Sequence, residues 1–256
     1  MASAVKVGGF AGLLRVFNVA FGDEALAADW APMLFALAVL SMVYGAVVGI
    51  VQDNVKRMLA YSSISHAGFI LIGLYAAGSL DPGVAALGSR SVLFYLFAYT
   101  VMVGGSFGIA TLVGQRGDGA HSLSDYVGLS SRRPLLAGLF VVLLFAQAGI
   151  PFTSGFWAKF GVIEAAVRDE RYELAAAAMV AAVVGAYLYL KVIVSMFLTE
   201  AETDEDGAAA HRGGAIVLAP AAMVAIIGAV VATILWGVLP DIGGDLLRDA
   251  ANTFVR

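Results

Sequence analysis

Seven apolar stretches run along the chain, at 4–21, 33–51, 58–77, 92–113, 134–165, 174–198 and 215–238, and polar connectors separate them. A helix rises 1.5 Å per residue, so about 20 apolar residues cross a hydrocarbon core of about 30 Å. Inside such a core the backbone must satisfy its own hydrogen bonds, which restricts spanning segments to helices and closed barrels. Continuous runs of this length read as helices. They predict an all-α polytopic membrane protein, with residues 1–256 forming a single membrane domain of about seven transmembrane helices.

Composition narrows the function classes. Charged residues make up 13% of the chain, about half the usual share in a soluble domain. The net charge of −4 offers no footing for nucleic acid. The chain has no cysteine, which excludes disulfides, thiolate metal sites and cysteine-bound iron–sulfur clusters. Its three histidines, His66, His121 and His211, are too scattered for a metal site. Lys6 and Arg15 interrupt the first apolar stretch and no cleavage-type pattern follows, so no cleavable signal peptide is expected. Positive residues favour by a narrow margin the side bearing "QDNVKR" and "SSRR" as the cytoplasmic one. The tail after Pro240 is amphipathic and suited to the membrane interface.

The fifth stretch is too long for one straight span. Its 32 residues would extend ~48 Å as a single helix. It also carries Gly149, Pro151 and Gly155 in "QAGIPFTSGFWAKF". Two half-helices joined by a break near 149–155 fit the length. Interrupted helices of this kind mark ion and substrate sites in transporters, because their freed backbone groups must face protein or a polar cavity. A proline kink that serves packing is the simpler alternative.

Besides Arg15, the ionisable residues Lys6, His66, Lys159, Glu164 and Lys191 fall within apolar stretches. A charge at mid-membrane costs at least about 2.5–3.5 kcal/mol on insertion scales, so each needs a reason. Burial disfavours a charged lysine and a neighbouring carboxylate favours it, while histidine titrates near neutrality unaided. Lys159 follows the break, and residues 160–165 continue the apolar run beyond it, which favours a functional lysine over one that snorkels to the surface. His66 lies nine residues beyond Arg57, near mid-depth, in "AYSSISHAGF". It reads as a relay, or as a histidine satisfied by a neighbouring carbonyl or serine. The serines beside it read as helix-packing residues, since no acid partner or nucleophile elbow accompanies them. Glu164 and Lys191 lie near helix ends, where interfacial placement and snorkelling explain them. Lys6 has too little chain before it for its depth to be read.

The string "VQDNVKRMLAYSSISHAGFILIGL" resembles the junction between the ninth and tenth helices of the antiporter-like membrane subunits of respiratory complex I, most closely the NuoN-type branch. "LAGLFVVLLFAQAGIPFTSGFWAKFGVIEAA" resembles that branch's broken twelfth helix, "GAYLYLKVIVSMF" its thirteenth and "MASAVKVGGFAGLLRVF" its eighth. The match runs through almost the whole chain in family order, although each motif singly would also suit related cation/proton antiporter subunits. The resemblance implies the second inverted repeat of an antiporter-like fold, the C-terminal half of a longer family pattern. It implies a central channel lysine at Lys6, a broken-helix lysine at Lys159, and His66 on the polar axis between them. It further implies a proton-translocating, non-redox subunit of a NADH–quinone oxidoreductase in the bacterial inner (cell) membrane. Such a subunit would hold no cofactor of its own: quinone, flavin and iron–sulfur clusters would belong to partner subunits, and its neighbours would be other membrane subunits of the complex. The alternatives are a subunit of a multisubunit cation/proton antiporter and a non-transporting scaffold.

Overall fold

In a computed structural model, described over residues 2–21, 24–114, 121–198, 220–242 and 249–251, the chain is helical almost throughout. Helix α1 (Ala2–Arg15) continues into a π-helical turn at Val16–Ala20. It is followed by α2 (Glu24–Ile50), α3 (Val55–Ala77) and α4 (Pro82–Gly114). After a 3-10 turn at Leu123–Tyr126 come the short α5 (Leu129–Arg132), α6 (Pro134–Ala148), α7 (Ser154–Arg168), α8 (Tyr172–Phe197) and α9 (Pro220–Val238). By length and composition, α3, α4, α8, α9 and the Asp29–Ile50 part of α2 are each able to cross a membrane. α1 is shorter, and α6 and α7 together form the broken fifth segment.

Several boundaries differ from those read along the sequence. The fourth helix begins at Pro82 and not near residue 92, so most of the string read as a polar connector is helical. The reason is local. The Asp81 carboxylate accepts from the backbone N–H groups of Gly83 (2.7 Å) and Val84 (3.3 Å), and Pro82 occupies the first helical position, where its missing N–H costs nothing. The second helix likewise begins at Glu24, carrying Pro32 inside it. Residues 215–219 and most of the amphipathic tail, including 243–248 and 252–256, lie outside the described residues, as does His211.

Helix α3 is the centre of the bundle: 72% of its apolar window is buried, against 28% for α8 and 22% for α9. The outer helices turn Val183, Val224 and Val231 outward, as segments facing lipid should. α2 and α3 approach closely because glycine lines their seam. A Cβ at Gly68 would lie 2.7 Å from the Ala38 carbonyl oxygen, and one at Gly45 would lie 2.7 Å from that of Tyr61. At the end of the bundle where α3 starts, Asn54 caps it by accepting from Arg57 N–H at 3.0 Å. Val55 N–H to His121 O (2.8 Å) and Leu123 N–H to Asp53 O (2.7 Å) fasten the following connector there. His121 is buried at that seam, against Gly114.

Candidate proton-relay site in the bundle interior

The break between α6 and α7 is built from its glycines. Gly149 adopts φ 89°, in the left-handed region, and ends α6. Its N–H bonds to Ala146 O and that of Ile150 reaches back to Phe145 O, both at 3.0 Å, the paired bonds of a Schellman stop. Pro151 follows, and Phe152 takes φ 67°, uncommon for a residue with a Cβ. α7 then restarts at Ser154, with Gly155 pressed on the Ala146 carbonyl so closely that a Cβ there would collide with it. The segment read as broken near 149–155 is thus interrupted between Ala148 and Ser154.

Lys159 does not snorkel. Its side chain is buried, and Nζ donates to the carbonyl oxygens of Gln147 (3.0 Å) and Ala148 (2.9 Å). These carbonyls belong to the last turn of α6, where intrahelical partners run out and the helix dipole presents its negative end. Nζ also lies 5.1 Å above the Phe69 ring of α3, within cation–π range.

His66 is 2% exposed, at the middle of α3. Its Nδ1 lies 2.7 Å from the Tyr95 hydroxyl of α4 and its Nε2 lies 3.0 Å from the Tyr189 hydroxyl of α8. The partners are therefore phenols and not the carbonyl or serine considered from the sequence. The serines also differ from that reading. Ser62 Oγ is 2.5 Å from Tyr189 OH and Ser63 Oγ is 2.5 Å from Tyr99 OH, so both are hydrogen-bonding groups. Ser65, pressed against Gly45, does serve packing.

Lys6 reaches the same axis from α1. Its Nζ donates to the Ser63 carbonyl, to Ser63 Oγ (2.5 Å) and to Tyr99 OH (3.3 Å), and lies 5.2 Å from the Tyr99 ring centroid. Ser63 is near the midpoint of α3, so the depth of Lys6 is set by that contact. The Tyr99 and His66 rings are 5.5 Å apart. On the other side of His66 a small cavity of about 10 Å³ lies between the imidazole and Lys159, lined also by Ser62, Phe69 and Tyr189. That is about the room one water needs. α3 thus carries Ser63, His66 and Phe69 in succession, facing Lys6, the tyrosines Tyr95, Tyr99 and Tyr189, and Lys159.

Two predicted residues stand apart. Lys191 lies at the end of the bundle, donating to Ile50 O (3.3 Å) at the end of α2 and to Gln52 O (3.0 Å) just past it, and pairing with Asp53 at 3.2 Å. Glu164 pairs with Arg168 one turn along α7 at 2.7 Å. The residues that the sequence reading missed are Tyr95, Tyr99, Tyr189 and Gln147. Tyr95 and Tyr99 stand four apart inside one apolar helix, a spacing that puts two hydroxyls on one face. Gln147 is fully buried and donates to Ser106 Oγ at 2.7 Å. Among the described residues no group of three or more His, Asp or Glu side chains is placed to hold a metal ion.

A polytopic helical bundle with one interrupted helix, and lysines and a histidine on an interior polar axis, defines the antiporter-like class of membrane protein. The family model described as "NADH:quinone oxidoreductase/Mrp antiporter, TM" matches residues 1–185, and the chain belongs to that family. Relatives named NADH-quinone oxidoreductase subunit N are 41% identical over 99% of the chain in Rhodococcus opacus and 44% identical over all of it in Acidothermus cellulolyticus. The chain spans about half the length of these curated relatives, 44% and 46% respectively. Among solved structures, a chain of Thermus thermophilus respiratory complex I with bound NADH is 29% identical with a TM-score of 0.73, covering 93% of this chain and 48% of that one. These findings bear out the NuoN-type resemblance and the antiporter-like fold, and place the chain among multi-pass proteins of the bacterial inner membrane.

Proposed function

We propose that this chain forms a proton-conducting half-channel of a membrane subunit of NADH–quinone oxidoreductase. The observation that carries the reading is the row of Lys6, His66 and Lys159 along one face of α3, each tied into polar partners within an otherwise apolar bundle. Groups this costly in a membrane need a use, and amines and an imidazole linked by hydroxyls can hand a proton along. The chain does no redox chemistry in this reading. Flavin, iron–sulfur clusters and quinone belong to partner subunits, and neighbouring antiporter-like and small membrane subunits pack beside it. The names of the two relatives favour this over a subunit of a cation/proton antiporter, which shares the family.

The test is reconstitution of the assembled complex in proteoliposomes, with quinone reduction and the proton gradient recorded together. His66→Gln is expected to lower proton translocation and the coupled quinone reduction several-fold with assembly intact. Normal pumping by His66→Gln and by Lys159→Met would leave the axis a structural scaffold. Cation-driven proton exchange without NADH would instead identify an antiporter.

A further inference from the structure

We infer that neutral His66 is held as the Nε2–H tautomer, with Tyr95 donating to Nδ1 and Tyr189 receiving from Nε2, so that the two tyrosines are positioning residues that give the ring distinct uptake and release sides. The functional half of this statement rests on the relay reading; the tautomer does not.

The assignment follows from counting protons. A neutral imidazole offers one N–H and one lone pair, so of the two phenols that meet its nitrogens one donates and the other accepts. Tyr95 is fully buried, and among the described residues His66 is its only hydrogen-bond partner. If Tyr95 accepted from Nδ1–H, its own hydroxyl proton would be buried without an acceptor, which is the costlier kind of missing bond. Tyr189 has a second partner in Ser62 Oγ at 2.5 Å. It can therefore accept from Nε2–H and still direct its proton to the serine. One arrangement satisfies every phenol and ring nitrogen: Tyr95 O–H to Nδ1, Nε2–H to the Tyr189 oxygen, and Tyr189 O–H to Ser62 Oγ.

The two sides of the ring also face different neighbours. Tyr95 stands one helical turn from Tyr99, whose hydroxyl meets Lys6 and Ser63. Tyr189 lines the small cavity shared with Lys159, whereas Tyr95 does not. The unprotonated nitrogen, whose lone pair accepts from Tyr95, thus faces the Lys6 side, and the nitrogen that carries a proton faces the Lys159 side. Uptake at Nδ1 requires the Tyr95 hydroxyl to turn aside from that lone pair; the proton then taken up at Nδ1 and the one released from Nε2 move in the same direction, from the α1 side of α3 toward the helix break.

The experiment is nitrogen NMR of the assembled complex labelled with ¹⁵N-histidine, the His66 signals being those lost in His66→Gln. A protonated Nε2 and an unprotonated, hydrogen-bonded Nδ1 are expected. Tyr95→Phe should move the Nδ1 signal to the position of a free lone pair while Nε2 stays protonated; Tyr189→Phe should move the Nε2 signal and leave Nδ1 alone. An Nδ1–H signal in the parent, or an Nδ1 signal unmoved by Tyr95→Phe, overturns the inference. If Tyr95→Phe does not assemble, the parent spectrum and Tyr189→Phe still decide. Normal pumping by His66→Gln would remove the relay reading while leaving the tautomer measurement standing.

Discussion

Lys159 Nζ sits 3.0 Å from the Gln147 carbonyl oxygen, so the cation of one half-helix closes the end of the other. This contact joins the two unusual features of the fifth segment. The break leaves the carbonyls of α6 without ladder partners, and the lysine supplies donors for two of them. The same amine faces the His66 cavity. A helix-end cap that also adjoins the cavity beside His66 can serve as a gate, because releasing its proton removes the charge that the helix end favours.

Lys159→Met should therefore lower proton translocation and coupled quinone reduction several-fold in reconstituted complex. Lys159→Arg should not restore them fully, because arginine could keep the capping charge but does not give up its proton. Comparing the two variants for assembly, by native electrophoresis, and for translocation separates cap from gate. Full pumping by the arginine variant would leave only the cap.

Gly155→Val should destabilise the break more than any change to its exposed residues. A Cβ at Gly155 collides with backbone, the Ala146 carbonyl, which cannot swing aside. Gly149→Ala is milder: it asks a Cβ to adopt φ 89° and to sit 3.0 Å from Lys159 Cδ, a strain of about 1–2 kcal/mol. Thermal unfolding in detergent, read alongside complex assembly, checks the order. A Gly155→Val protein as stable as the parent would mean that the half-helices pack differently.

Lys191→Met should cost less function than Lys159→Met. Lys191 bonds the end of α2 and an Asp53 side chain that is 86% exposed, and a pair open to solvent contributes about 0–1 kcal/mol. Its loss should slightly loosen the α2–α3 connector. Limited proteolysis there, with pumping assayed on the same sample, tests this; a loss equal to that of Lys159→Met would put Lys191 on the proton path.

Tyr126→Phe should be neutral or stabilising. Its hydroxyl is buried with no hydrogen-bond partner among the described residues, and replacing such a group with an apolar one removes a desolvation cost of about 1–3 kcal/mol. Burial, and then the Asp125 carboxylate, push its phenol above the usual tyrosine range, so ionisation does not relieve the site at physiological pH. The midpoint of thermal unfolding should hold or rise. A clear fall would show that the hydroxyl has a partner in the assembled complex.

Much of this protein is legible along one dimension. The thickness of a hydrocarbon layer sets the length of an apolar run, so seven segments could be counted, and the overlong fifth identified as broken at Gly149, Pro151 and Gly155. The cost of an ionisable group in hydrocarbon made His66 and Lys159 conspicuous, whereas Lys6 stood out only through the family resemblance. Helix starts were harder, because the cap at Asp81 and Pro82 lay in a string whose glycines and serines read as a loop.

Partners were decided only in three dimensions. Lys6 meets Ser63 across 57 positions and His66 meets Tyr189 across 123, and no local pattern specifies such pairs. They depend on how each helix is rotated and how closely its neighbours approach. Those quantities are set by contacts such as Gly68 against the Ala38 backbone, summed over the bundle. An apolar helix offers similar hydrophobic faces all round, so hydropathy alone does not say which one turns inward. Packing chose the face of α4 that carries Tyr95 and Tyr99, and the direction in which Lys159 folds back, and with them the order of groups along the polar axis.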